Sequence, residues 1–180
     1  AEVFVGIESP DEDVLTLNRK YQNVRNPLME SLNNINENGL SVVGSFIIGF
    51  DGEKKGAGQR ICSFVEESNI PIVMVNMLQA APETRWWTRL KSEGRLLGDR
   101  FIPENTLVGM FNFVPSRSES EILEEYRHIW EYVYEPSRFL ARAYRYFLAM
   151  RPTRRALAMS KGEAVPPEVP RSRESLRKVF

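Results

Sequence analysis

Three apolar runs in this chain stop abruptly at polar residues able to bind a ligand. Val3-Phe4-Val5-Gly6-Ile7 ends at Glu8-Ser9, Ser45-Phe46-Ile47-Ile48-Gly49-Phe50 at Asp51-Gly52-Glu53, and Pro71 to Leu78 at Gln79, which Ala80 follows. A carboxylate such as Glu8 accepts hydrogen bonds from hydroxyl pairs, and a serine both donates and accepts, so Glu8-Ser9 could bind a sugar. The competing reading is that strand ends are polar because loops are solvated, with Ser9 or Asp11 capping the next helix. Gly44 and Gly49 weaken the strand they occupy and need a reason, either close approach of a ligand or another backbone, or a bulge. The loop Gly52-Glu53-Lys54-Lys55-Gly56-Ala57-Gly58 is glycine-rich but lacks the glycine-lysine-hydroxyl order of a phosphate loop. Cys62 lies beside Ile61 and Phe64 in a helical pattern, which suits a small core residue, and His128 falls on a long helix remote from the strand ends.

The elements that position these residues alternate. Continuous apolarity in Val3–Ile7, Ser41–Phe50 and Pro71–Leu78 predicts short strands buried on both faces, as in a parallel sheet. Between them, Asp11 is expected to cap a helix carrying Val14, Leu15 and Leu17. Pro27 opens a second helix that Gly39 stops, and a third runs from about Gly58 to Asn69. Thr84 to Gly94 reads as a further helix. Strand–helix alternation with crossovers of this length implies parallel strands and right-handed connections. From about residue 99 to 117 the chain is irregular. Ser118-Glu119-Ser120-Glu121 then forms a capping-box pattern before a helix with the stripe Ile122, Tyr126, Ile129 and Val133. Pro136 breaks that run, and Phe139, Leu140, Ala143, Tyr144, Phe147 and Leu148 mark a second helix.

Composition excludes several classes. With 24 Lys plus Arg against 24 Asp plus Glu, the net charge of the 180 residues is zero, so bulk electrostatic wrapping of nucleic acid is not expected. The single cysteine allows no internal disulfide, and no cysteine or histidine cluster offers a metal site. No run approaches a membrane span. Residues 151–180 carry eight Lys or Arg against three Glu, plus four prolines. They are expected to be a mobile basic tail with at most a short helix near Glu174–Lys178. Because the chain opens on a strand-like run without a methionine, it is expected to be a fragment of a larger fold.

Beyond these patterns, the residues resemble a known family. Val3 to Ser9 with Val14-Leu15 and Arg19-Lys20 is similar to the fourth strand and helix of radical S-adenosylmethionine enzymes. Gly39 to Glu53 resembles their fifth strand, and Leu78-Gln79-Ala80-Ala81-Pro82-Glu83-Thr84 with Leu90 and Glu93 to Leu96 their sixth. Asn112-Phe113-Val114-Pro115 and Tyr134-Glu135-Pro136-Ser137 resemble the C-terminal extension of the cobalamin-binding branch, which includes hopanoid-type lipid methylases. The resemblance implies an α/β fold. Residues 1–97 would be the C-terminal half of a partial (β/α) barrel with parallel strands, 98–150 a helical extension, and 151–180 the tail.

The same resemblance implies that Glu8 and Ser9 approach the ribose of S-adenosylmethionine. Arg19 or Lys20 lies where a side chain can face its carboxylate, Ile48 and Gly49 lie beside the adenine, and Gln79 and Ala80 offer groups to the adenine edge. The parent protein would use a 4Fe–4S cluster and cobalamin, acting as a methyltransferase on a lipid-like or other small substrate. The three-cysteine cluster motif and a cobalamin-binding domain are absent here, so this chain alone is expected to be inactive. Its partners would be the substrate, the remainder of the parent chain and, through the exposed edge at Val3–Ile7, a second copy. A cytoplasmic location is expected, with membrane association where the substrate is lipid-like. Two other readings compete: a doubly wound nucleotide-binding domain using the Gly52–Gly58 loop, and a non-enzymatic module whose helix pair and basic tail bind a partner or an acidic surface.

Overall fold

The structure is a computed structural model that describes residues 2–24, 27–98, 110–150, 152 and 154–164. Three parallel strands, β1 (Glu2–Glu8), β2 (Ser41–Ile48) and β3 (Ile72–Met77), lie side by side in chain order. Helices α1 (Glu12–Leu17) and α2 (Leu28–Glu37), with a short 3-10 turn at Tyr21–Asn23, connect β1 to β2, and α3 (Ala57–Ser68) connects β2 to β3. After β3 come α4 (Arg85–Ser92), α5 (Glu119–Val133), α6 (Pro136–Ala149) and α7 (Arg154–Lys161). The α/β class with parallel strands and a helical extension is the one the alternation implied. The three strands advance one way without reversal, as in a barrel wall or one half of a doubly wound sheet.

Side chains alternate across a strand, and here the two faces have different fates. Val42, Phe46 and Ile48 of β2, Val73, Val75 and Met77 of β3 and Ile7 of β1 form one face, buried under Leu32, Ile61, Cys62, Val65, Ile122, Tyr126, Ile129 and Val133. The opposite face carries Phe4, Val43, Ile47, Ile72, Met74 and Asn76, which are half-buried or exposed, Phe4 reaching 62%. The expectation of strands buried on both faces is therefore corrected: among the described residues, helices cover one face only. The apolar run is continuous because the second face is also apolar, not because helices pack against both.

The two edges of the sheet differ as well. On β3, the Tyr134 hydroxyl donates to Val73 O at 2.6 Å and accepts from Val73 N at 3.1 Å, closing backbone groups that a further strand would use. On β1, Asn23 Nδ2 donates to Gly6 O and Ile7 O, both at 2.9 Å, at the strand's end. No described residue pairs as a strand with β1 on its outer side.

The helical extension shares the sheet's core. Leu96 and Phe113 form an antiparallel bridge, and Phe111, Phe113 and the whole α5 stripe join the cluster packed on the sheet. Three local expectations are corrected. Asp11 precedes α1 without capping it, because its carboxylate is held by Arg60 Nε at 2.7 Å. Ser118 makes no capping bond to α5, its hydroxyl meeting Ser120 Oγ at 2.8 Å instead. Within the expected mobile tail, Arg154–Lys161 is helical; the expected helix at Glu174–Lys178 lies outside the described residues.

The second helix of the extension, α6, forms as expected but buries its polar side. Its buried residues are Arg142 and Tyr146, while Leu140, Tyr144, Phe147 and Leu148 face outward. The fully buried Arg142 guanidinium donates to Ile70 O at 2.9 Å, Val133 O at 2.7 Å and Glu66 Oε1 at 3.0 Å. Tyr146 Oη accepts from Val42 N at 2.9 Å and donates to Leu40 O at 3.1 Å. A buried guanidinium needs charge and carbonyl partners on several sides. The α3–β3 turn, the end of α5 and Glu66 supply them, and this turns the polar side of α6 inward.

Candidate functional site on the open sheet face

The C-terminal end of β1 is irregular in a way that aims one carboxylate. Pairing with β2 slips between Gly6 and Glu8, so β1 carries a bulge, and Glu8 adopts a left-handed backbone with φ of 67°. That conformation costs a residue with a side chain on the order of 1 kcal/mol or more, and such strain concentrates at ligand sites. It brings the Glu8 carboxylate to the open face: a Cβ placed on Gly6 would lie 3.5 Å from Glu8 Oε1. Lys20 Nζ reaches the same oxygen at 3.2 Å. The Glu8 side chain keeps 19% exposure and Lys20 34%, so the pair borders solvent. A carboxylate accepts up to about four hydrogen bonds, so one lysine leaves it room for a ligand.

The other expected residues distribute unevenly. Ser9 is buried, its hydroxyl accepting from Asp11 N at 3.1 Å, so it shapes the turn after the bulge. Arg19 is exposed and ends α1 in a left-handed conformation, leaving Lys20 as the cation that joins Glu8. Ile48 points into the helix-covered core, and Gly49 N donates to Glu53 Oε2 at 3.0 Å. Gly49 has φ of 99°, and a Cβ there would lie 2.6 Å from the Phe111 ring; at Gly44 it would lie 3.1 Å from Ile7 Cδ1. Packing therefore supplies the reason for both glycines. Ala80 N donates to Asn112 Oδ1 at 2.8 Å, and Asn112 Nδ2 donates to Ala80 O at 2.9 Å. Gln79 Nε2 donates to Met110 O at 2.7 Å, while its Oε1 is buried without a partner among the described residues.

Beneath these strand ends lies a charged brace that sequence reasoning missed. Asp51 accepts from Arg95 at 2.8 Å and Arg89 at 2.7 Å, and the Arg95 hydrogen bond leads the effects that hold its carboxyl below the usual range. Arg117 bridges Glu53 at 3.2 Å and Glu125 at 2.7 Å. Burial pushes the Glu53 carboxyl up to about 7, against the pull of the Gly49 N–H and Arg117. Glu125 goes the other way: burial raises it, but hydrogen bonds from Arg117 and from the Gly56 and Gly58 N–H groups together leave it lowered.

Those last bonds decide the fate of the glycine-rich loop. Gly56 N and Gly58 N, the donors that a phosphate would use at the start of α3, point to Glu125 at 2.8 and 3.1 Å. A Cβ on Gly58 would lie 2.9 Å from that of Glu125, so the glycine serves close helix packing. The neighbouring cleft of about 400 Å³ is lined by Pro10 to Val14, Gly52, Lys54 and Arg60. Three carboxylates, Asp11, Glu12 and Asp13, oppose two cations there, and Arg60 is already paired with Asp11. The loop and cleft are poorly suited to an anionic ligand.

Cys62 is fully buried in α3, and burial pushes its thiol up to about 11. It is a core residue. His128 is exposed on α5 against Tyr132. Among the described residues no group of three His, Cys, Asp or Glu could hold a metal ion, and no helix is long and apolar enough to cross a membrane.

Comparison with known proteins shows the family. A family described as a domain of unknown function, DUF4070, matches residues 84–179. An uncharacterized methyltransferase of Synechocystis is 46% identical over 150 residues, which are 82% of this chain and 27% of the relative. The hopanoid C-2 methylase of Rhodopseudomonas palustris is 35% identical over 124 residues, 64% of this chain and 24% of that protein. The chain thus spans about a quarter of the length of these curated relatives. On these matches it belongs to the DUF4070 family, within the cobalamin-binding branch of the radical S-adenosylmethionine superfamily.

Proposed function

We propose that this chain is the C-terminal half of the catalytic barrel and the extension of a longer methylase. In this reading its open sheet face is the inner wall against which S-adenosylmethionine binds. The single observation that carries the proposal is Glu8, a strained, left-handed carboxylate at the end of β1 that hangs over Gly6 on the uncovered face. Edge asymmetry supports the same reading: Tyr134 closes β3, while β1 is left for an earlier barrel strand.

The residues fit a nucleoside. Glu8 would accept from ribose hydroxyls, with Lys20 orienting it, and Ser9 would hold the turn that fixes both. Gln79, with its buried unpartnered oxygen, is the candidate group toward the adenine, with Ile48, Gly49 and Ala80 as backbone framework and Arg19 at the periphery. The apolar residues Phe4, Val43, Ile47 and Met74 would exclude water from the same wall. When bound, the cofactor supplies the radical and methyl chemistry, and these residues bind and orient it.

The residues do not fit a cluster: Cys62, the single cysteine, is in the core, so ligands for an iron–sulfur cluster would have to come from parts of the parent outside this segment. A lipid-like methyl acceptor is the substrate class we favour, by likeness to the hopanoid methylase.

The test is Glu8→Gln in the full-length protein, with S-adenosylmethionine affinity and thermal stability measured together. Losing a charge-assisted hydrogen bond costs about 1.5–3 kcal/mol, or roughly 10- to 150-fold in dissociation constant. Stability is expected to fall by less than about 1 kcal/mol, because the Lys20 pair is partly exposed. Unchanged affinity with lowered stability would make Glu8 a structural residue and remove it from the site.

A further inference from the structure

The outward side of α6 is a ridge of large apolar residues on a helix whose polar side is locked inward. Leu140, Tyr144, Phe147 and Leu148 are 64–68% exposed, and their spacing of four, three and one places them along one stripe. Nearby in sequence, Leu157 and Met159 of α7 are 41% and 63% exposed. The inversion is not slack packing, because Arg142 and Tyr146 tie the other side of α6 into the α3–β3 turn and the start of β2. The ridge is thus held rigidly outward, at a hydrophobic cost that a single solvated domain gains nothing from.

Charge narrows the occupant. Between Glu135 and Glu163 the chain carries seven Arg or Lys and no acidic residue. Glu66 offsets Arg142 and Arg145, and Arg138 lies over the Tyr132 ring at 4.1 Å. Arg151, Arg154, Arg155 and Lys161 follow in sequence, and the net charge of residues 151–180 is +5. An apolar helical stripe joined to a cationic segment is the composition of a helix that lies in a membrane interface, its apolar residues among the acyl chains and its cations at anionic headgroups. A folded protein partner would be served by the ridge alone; the uninterrupted run of cations adds nothing to it.

We propose that α6 and the basic segment after it dock the protein on an anionic lipid bilayer, lying along the surface without crossing it. Docking stands apart from the cofactor reading, since α6 is tied to Leu40, Val42 and Ile70, at the opposite end of the strands from Glu8 and Gln79.

The test is flotation of the full-length protein with vesicles of phosphatidylcholine alone, or of phosphatidylcholine mixed equally with phosphatidylglycerol. Binding is expected to the mixed vesicles, weakened by salt. The double substitution Phe147→Ser, Leu148→Ser is expected to lower partitioning by more than about tenfold with an unchanged melting temperature, because both side chains are solvated in the free protein. Absence of flotation, or flotation that the double substitution leaves intact, would overturn the proposal. So would a melting temperature lowered by the substitution, which means that the rest of the chain covers the ridge. A dimer in light scattering that the substitution dissolves would assign the ridge to a second copy instead.

Discussion

Glu53→Gln isolates the electrostatic brace under the strand ends. The Glu53 side chain is 1% exposed, bonded to Gly49 N and to Arg117, and its carboxyl is pushed from 4.5 up to about 7 by burial. The native state therefore holds a proton between about pH 4.5 and 7 that the unfolded chain has released. Stability from this group is full below that window and falls as pH rises through it, by about 3 kcal/mol in total. Glutamine keeps an acceptor for Gly49 N and cannot ionise, while Arg117 retains Glu125 at 2.7 Å. Urea denaturation of both proteins from about pH 4 to about pH 8 reads the difference, in which the other carboxylates cancel. The substitution is expected to be near neutral or destabilising at the acid end and to gain on the parent by about 3 kcal/mol toward the alkaline end. Parallel curves would refute the reasoning, since Glu53 would then be ionised throughout and held by Arg117.

Gly49→Ala must accommodate both a φ of 99° and a Cβ 2.6 Å from Phe111, so a loss of about 2–3 kcal/mol in urea denaturation is expected. Arg142→Met removes the anchor of α6 and strands Ile70 O and Val133 O; a cost of about 3–5 kcal/mol is expected, with faster amide exchange in α6. Tyr134→Phe frees both backbone groups of Val73, and a loss of about 1–3 kcal/mol with faster exchange at the Val73 amide is the expected result.

The strands were legible because each is a short β-branched run bounded by turn residues, and α5 because all four residues of its expected stripe are buried. For α6 the periodic signal located the helix but not the side it buries. Which side of a helix faces inward depends on partners such as Glu66 and Ile70 O, more than 70 residues away from Arg142. Glu8 could be singled out as a carboxylate at a strand end, but its left-handed backbone arises from a bulge against β2 that local sequence does not encode. The closed phosphate loop and the locked Ala80 were hidden for the same reason: Glu125 and Asn112 arrive from 67 and 32 residues away. Local pattern located the strand ends, and long-range hydrogen bonds decided which of them stay available.

Two places near those ends could receive a nucleoside, the open sheet face at Glu8 and the acidic cleft between Pro10 and Arg60. Photolabelling the full-length protein with an azido-adenine analogue of S-adenosylmethionine, followed by peptide mapping, distinguishes them in one measurement. Label is expected on peptides containing Ile47, Asn76 or Gln79, competed by S-adenosylmethionine and weakened by Glu8→Gln. Competed label on the peptides holding Glu12 to Val14 or Gly52 to Arg60, with none on β2 or β3, would contradict the assignment of the open face as the cofactor wall.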